Sequence, residues 1–326
     1  ERVPKTLILM AKVAIIGATG RVGQYAALTI SRIPYVREVQ LYGRPGSDSV
    51  LEGVARDLID SFAATGTDSH VSWSCNIEDL TGSDIIVFTA GVARRPEQSR
   101  LDLALENARI VADFAQKIKT IAPSAFIMMV TNPVDIMTHV ALKYSGKRPN
   151  EVFGLGTHLD SMRLKSAIAS FFQVHVSEVH TRIIGEHGDS MVPLWSATTI
   201  GGIQISNLPS FAQVPIEEIM NQVRSSGQKI IASKGATVWG PGEAIATLIR
   251  TILGNENRIL TVSAYIKSEV HNIGDVCIGV PARMNRSGVY PVPIRIEPLE
   301  VRNFQNSVEK IRTITRQVFD FLENGE

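Results

Sequence analysis

Short apolar runs alternate with amphipathic stretches through the first half of the chain. Residues 12–16 form an apolar, β-branched run, and 38–42, 84–89 and 125–130 read as further strands. Such runs predict strands buried on both faces. Between them, residues 21–32, 51–63 and 101–119 carry apolar side chains at helical spacing, and the first helix stops before Pro34. Gly17-Ala18-Thr19-Gly20, Ala90-Gly91 and Thr131-Asn132-Pro133 punctuate the strand ends. Strand and helix in alternation predict an α/β fold, a Rossmann doubly wound parallel sheet.

The second half is mixed. Helical patterns occupy residues 159–172, 216–233 and 243–253, and residues 258–266, 275–280 and 289–296 read as antiparallel strands. Phe304, Val308, Ile311, Ile314, Val318 and Phe321 form a stripe at three-and-four spacing, a last helix facing the core. Ser145, Gly146, Pro149 and Asn150 cluster near 146–150. The expected organisation is a dinucleotide-binding domain over 1–148 and a mixed α+β substrate domain over 149–326.

The 326 residues carry a net charge of +1, so no broad field directs the chain to nucleic acid or an acidic membrane surface. No run of eighteen apolar residues suggests a membrane span. The apolar patch at 6–10 merges into the first strand without a small-residue cleavage site, and residues before Met10 are assigned no function. Cys75 and Cys277 lie far apart, outside any metal-ligand spacing, and are expected as two buried thiols in a reducing, cytoplasmic setting.

Gly17, Gly20 and Gly23 form G-x-x-G-x-x-G between a predicted strand and helix. Backbone amides there approach a pyrophosphate, and the helix N-terminus favours its charge. The usual fingerprint places an acid at the end of the second strand to hold the ribose hydroxyls. Here that position reads Leu41-Tyr42-Gly43-Arg44. Glycine leaves room for a 2′-phosphate and arginine attracts it, so NADP is expected to be favoured, with NAD as the alternative if Arg44 is merely solvated.

His187 lies in a polar turn between glycines, Gly185-Glu186-His187-Gly188-Asp189-Ser190, while Asp160 and Arg163 lie three apart on a predicted helix. Histidine exchanges protons near neutral pH, a carboxylate orients it, and an arginine fork clamps a carboxylate. These groups suit acid–base chemistry on a small carboxylic acid. Arg94, Arg95 and Arg100 share one strand-to-helix connection. Arg95 reads as solvated, whereas Arg94 and Arg100 are placed to turn inward when such a loop closes. Asn132 ends a strand in the same crevice, as a donor to a substrate oxygen or as a turn residue. The other histidines share no ligand spacing, His158 is expected to make a structural hydrogen bond, and no metal site is expected.

The strings IGATGRVG, TAGVARRPEQSR, TNPVD, GLGTHLDSMR and IGEHGDSMVP, in this order, resemble the lactate/malate dehydrogenase family, most nearly the archaeal malate dehydrogenases of its lactate-dehydrogenase-like group. The resemblance implies His187 as the acid–base, Asp160 as its orienting partner, and Arg163 as the clamp on the substrate's C1 carboxylate. It implies that Arg100 polarises the carbonyl, Asn132 contacts substrate and nicotinamide, and Asn107 faces the cofactor. The cofactor set it implies is Gly17, Ala18, Thr19, Gly20, Arg21, Val22, Gly43, Arg44, Thr89, Ala90, Gly91, Asn107, Val130 and Asn132. Arg94 stands at the substrate-selecting position, where malate enzymes carry arginine and lactate enzymes glutamine. A second carboxylate needs a cation in a water-excluded site, so Arg94 favours oxaloacetate over pyruvate. Ala93 replaces a proline common beside that arginine, and Gly43 departs from the NAD pattern. A homodimer or homotetramer and a place in the tricarboxylic acid cycle are further implications.

Competing readings are a lactate or broad 2-hydroxy-acid dehydrogenase, and a non-catalytic nucleotide-binding protein on the same fold. A short-chain reductase would need a lysine four residues after a tyrosine, and no tyrosine here has one.

Overall fold

Strand β1, Ala11–Ile16, is nearly all buried and lies inside the sheet in a computed structural model that describes residues 10–92 and 98–325. It pairs in parallel with β2 (Val36–Tyr42) on one side and β4 (Ile85–Phe88) on the other. Helix α1 (Arg21–Ser31) links β1 to β2, and α2 (Asp48–Thr65) links β2 to β3 (His70–Ser74). Helix α3 (Arg100–Ile121) leads to β5 (Phe126–Met129), and α4 (Val134–Ser145) to β6 (Val152–Gly154). The strand order of this array is β3-β2-β1-β4-β5-β6, all parallel. Helices cover both faces, which is why the strands are continuously apolar. The array runs on through β6, beyond residue 148.

Helix α5 (His158–Phe172) opens the second half. Five two-residue strands follow: β7 (Val179–His180), β8 (Ile183–Ile184), β9 (Val192–Pro193), β10 (Thr199–Ile200) and β11 (Ile203–Gln204). Then come α6 (Ile216–Lys234), α7 (Trp239–Leu253), β12 (Arg258–Ile266), β13 (Val276–Asn285), β14 (Gly288–Pro291) and α8 (Pro298–Asn324). Strands β12, β13 and β14 are antiparallel and extend the first-half sheet, because β12 pairs with β6 at Ser263 and Gly154. One nine-stranded sheet therefore runs through both halves.

Differences from the sequence expectation have local causes. β13 runs to Asn285 because its hairpin with β12 stays in register from Val276 to Met284. β14 stops at Pro291, where proline removes a ladder donor. In α8, Phe304, Val308, Ile311 and Val318 are at most 2% exposed, as their spacing predicts. Burying each contributes about 1.5–3 kcal/mol. Among the described residues, no helix is long and apolar enough to cross a membrane.

Candidate active site

The sheet reverses its strand order between β1 and β4, and a cleft of about 460 Å³ opens there at the carboxyl ends of the strands. Open α/β sheets bind ligands at this place. The Gly17–Gly20 loop abuts the cleft, packed against Thr89 and Ala90. Gly17 has φ +86°, and a Cβ there would lie 2.7 Å from the Ala90 backbone nitrogen. A Cβ on Gly23 would meet the Gly17 carbonyl at 2.6 Å. Only glycine permits this approach of loop, helix and neighbouring strand. The amides of Gly17 and Ala18 donate to the Tyr42 carbonyl, which fixes the loop against β2. Helix α1 starts after Gly20 with no side-chain cap and no acid in its first turn. Its positive end therefore faces the cleft uncompensated, as a pyrophosphate requires. These features fit a dinucleotide. Arg21 donates to the Lys234 carbonyl at 3.1 Å, tying the start of α1 to the end of α6.

Just beyond β2, a Cβ on Gly43 would lie 3.1 Å from Ser47 Cβ and 3.2 Å from Leu51 Cδ1. Arg44 beside it is exposed, and its carbonyl accepts from Cys75 Sγ at 3.1 Å. Cys75 is thus half-buried, not buried as expected, whereas Cys277 is buried; both are free thiols.

Val22, Thr89, Gly91, Val130 and Asn132 line the middle of the cleft. Thr89 Oγ1 donates to the Ile16 carbonyl at 2.8 Å, joining β4 to β1 below the floor. Asn107 is fully buried, with Oδ1 accepting from the Val92 amide at 2.8 Å and Nδ2 donating to the Asn132 carbonyl at 2.7 Å. It ties together two loops whose residues Val92 and Asn132 line the cleft. The Asn132–Pro133 peptide is cis, and the Asn132 side chain is left in the cleft.

The far end holds the titratable groups. His187 Nδ1 lies 2.6 Å from Asp160 Oδ2, and Arg163 donates to the other oxygen, Oδ1, at 3.1 Å. Asp160 is 1% exposed, while the His187 and Arg163 side chains are 26% and 16% exposed and line the cleft. Helix α5 places Asp160 and Arg163 one turn apart on one face. Burial pulls the His187 pKa down, but the charge and hydrogen bond of Asp160, joined by the charge of Asp135, outweigh burial and the opposing Arg163. The net shift is upward.

The histidine turn is held from three sides. Gly185, at φ +88°, exchanges two backbone hydrogen bonds with Gly279 of β13. The His187 amide donates to Asp135 Oδ2 at 2.8 Å, from the first turn of α4. Glu186 is buried and accepts at Oε2 from Lys310 Nζ at 2.8 Å and Ser190 Oγ at 2.5 Å.

Arg94 lies outside the described residues, as does the side chain of Arg100. The backbone of Arg100 begins α3, set by a capping box in which Ser99 and Asp102 exchange side-chain-to-amide hydrogen bonds. His158 is buried with Nε2 unpartnered, so the expected structural hydrogen bond is not made there, and burial pushes its pKa down to about 4. The structure adds a wall that the sequence reading missed: Gly227, Ile231, Ala236, Thr237 and Pro241, from α6 and the turn into α7. The string Gly235-Ala236-Thr237 between two helical patterns was the available signal. A second groove of about 530 Å³, between α5 and α6, shares only Arg163 with this cleft and holds none of the histidine–aspartate pair. Among the described residues no group of His, Cys, Asp and Glu is arranged to hold a metal ion.

Comparison with known proteins places this fold in a family. The lactate/malate dehydrogenase NAD-binding domain matches residues 11–154, and the lactate/malate dehydrogenase alpha/beta C-terminal domain matches 157–322. The chain belongs to the lactate/malate dehydrogenase family, and it is an oxidoreductase with an NAD-binding domain. It is 47% identical over 310 residues to an L-2-hydroxycarboxylate dehydrogenase (NAD(P)(+)) of Methanocaldococcus jannaschii, covering 94% of this chain and 99% of the relative. It is 45% identical over 319 residues to a malate dehydrogenase of Methanothermobacter thermautotrophicus, covering 96% and 98%. The malate dehydrogenase of Archaeoglobus fulgidus in complex with NADH superposes with a TM-score of 0.84 at 34% identity, covering 94% of this chain and 99% of that one.

Proposed function

We propose that this chain interconverts oxaloacetate and malate, using NADPH or NADH, in the cleft at the β1/β4 reversal. The observation that carries this reading is the His187–Asp160–Arg163 constellation, in which one buried carboxylate orients both a histidine and an arginine on the cleft wall. When bound, the reduced nicotinamide supplies a hydride to the ketone carbon. Protonated His187 gives its proton to the ketone oxygen, forming the hydroxyl. Asp160 holds the ring through Nδ1, leaving Nε2 for the substrate, and stabilises the imidazolium. Arg163 clamps the C1 carboxylate, Arg94 the second carboxylate, and Arg100 and Asn132 face the developing oxyanion. Oxidation of malate runs the same steps backwards from neutral His187.

Gly43 and exposed Arg44 support acceptance of the 2′-phosphate of NADPH. A wider 2-oxo acid range is the second reading, supported by the printed activity of the M. jannaschii relative at 47% identity. A homodimer or homotetramer, which the family resemblance implies, belongs to the same proposal. Two free thiols suit a cytoplasmic setting, where the reaction is a step of the tricarboxylic acid cycle.

Initial rates with oxaloacetate and with pyruvate, each with NADPH and NADH, test the reading. A large preference for oxaloacetate supports Arg94 as the reader of a second carboxylate. Comparable rates with pyruvate make the enzyme a broad 2-oxo-acid reductase.

A further inference from the structure

Two carboxylates flank His187, and only one of them touches its ring. Asp160 faces Nδ1 at 2.6 Å, while Asp135 Oδ2 accepts from the His187 amide at 2.8 Å. Asp135 is 2% exposed, and its second oxygen, Oδ1, has no hydrogen-bond partner among the described residues. A neutral side-chain oxygen would accept from a single amide at a far smaller desolvation cost. Holding the turn therefore does not by itself account for a carboxylate here.

We propose that Asp135 is a positioning residue, which fixes the His187 turn and supplies a second negative charge that keeps the imidazolium protonated for ketone reduction. The kinetic part of this proposal rests on the reaction proposed above. The charge balance around the turn supports it. Helix α5 brings Asp160 and the opposing Arg163, α8 brings Lys310, which Glu186 already binds, and β13 brings the buried thiol Cys277 near Asp135. Ser263 of β12 is the buried hydroxyl on the Asp135 side, and Glu186 and Asp189 are the acids of the turn itself. Arg163 disfavours the charged ring, and Asp135 is the charge that joins Asp160 against it. Asp135 also carries a cost that fits a functional role: burial raises its pKa to about 6, despite the hydrogen bond from the His187 amide, which lowers it. The folded protein thus binds this proton more tightly than the unfolded chain. The associated stability is full below the ordinary carboxylate range and is lost as pH rises through about 6. An uncharged isostere is free of that loss.

The test is a titration of His187 by NMR in the full-length, cofactor-free protein carrying ¹³Cε1-histidine, with the resonance assigned by its absence in His187→Asn. In Asp135→Asn the His187 pKa is expected to fall by about half a unit or more. The alkaline limb of kcat/KM for oxaloacetate should move down equally, so that activity at pH 8 drops about threefold more than at pH 6. The melting temperature at neutral pH should hold or rise, and Asp135→Glu should recover part of the pKa. An unmoved His187 pKa, or a loss of kcat/KM that is equal at every pH, overturns the proposal. The unsubstituted protein reports independently of any variant: the His187 carbon should show a second, smaller inflection as Asp135 titrates, and a single-step curve counts against the coupling. If the pKa moves but no 2-oxo acid is reduced, the proposed reaction fails while the Asp135–His187 coupling stands.

Discussion

Lys310 of the C-terminal helix donates to Glu186, the residue immediately before His187, across 124 positions of sequence. A helix with no group in the cleft thereby holds the turn that carries the proton donor. Lys310→Met keeps much of the aliphatic stem and removes the charge. The loss of a hydrogen bond to a buried charged group costs about 1.5–3 kcal/mol, reduced here because Lys310 is 37% exposed. Thermal melting should fall by several degrees, and kcat should drop more than cofactor affinity, measured by NADPH fluorescence titration. Unchanged melting and turnover would show that the turn is held without this contact.

His187→Asn should retain cofactor binding and lose about 10²–10⁴-fold in kcat, the span of general acid–base catalysis. Equilibrium binding and single-turnover rates separate the two effects. Because the His187 pKa is raised, the protonated form persists above the ordinary histidine range. Reduction of the ketone should hold its rate at low pH and decline as pH rises through the raised value, while oxidation of the alcohol should rise over the same interval. Near-wild-type turnover in the variant would refute the assignment.

Gly43→Asp should turn cofactor preference toward NADH. A carboxylate repels the 2′-phosphate and accepts from the ribose hydroxyls. The ratio of kcat/KM values for NADPH and NADH should change about tenfold or more, since a like charge placed at contact costs more than about 1.4 kcal/mol at low effective dielectric. The added side chain also presses on Leu51 and Ser47, so a loss of about 1–3 kcal/mol in stability should accompany the switch.

Arg94→Gln should reduce kcat/KM for oxaloacetate by about 10²-fold and raise it for pyruvate, because the second carboxylate loses its cation and the methyl group loses a desolvated charge beside it. Parallel progress curves with the two acids measure this. A fall for both acids by the same factor would assign Arg94 to loop structure instead of selection.

Legibility in the sequence followed the physics of each segment. The strands β1 and β4 could be read because burial on both faces makes their residues, Lys12 apart, apolar. β3 escaped because His70–Ser74 lies at the sheet edge, where two serines and an exposed histidine break the pattern. α4 escaped for the opposite reason: eight of its twelve residues are buried, so it has little polar face to mark a helical period. The two-residue strands β7 to β11 are too short to carry any period. His187, Asp160 and Arg163 were readable as chemistry because a histidine in a glycine-flanked turn and an acid–arginine pair three apart on a helix combine proton exchange with carboxylate binding. Asp135 was not singled out, since only the fold brings α4 beneath the His187 amide, 52 residues away. The burial of Asn107 beneath the loops of Val92 and Asn132 was not legible, because a pattern gives a residue's position and not its exposure.

The pairing of Gly154 with Ser263 splices the parallel strands to the antiparallel hairpins, and its effect appears on heating. With β6 and β12 neighbours in one ladder, neither half has a finished edge of its own. Scanning calorimetry should therefore record one endotherm for the polypeptide, not two. A chain severed between 154 and 157 should yield fragments with raw strand edges that associate with each other or precipitate.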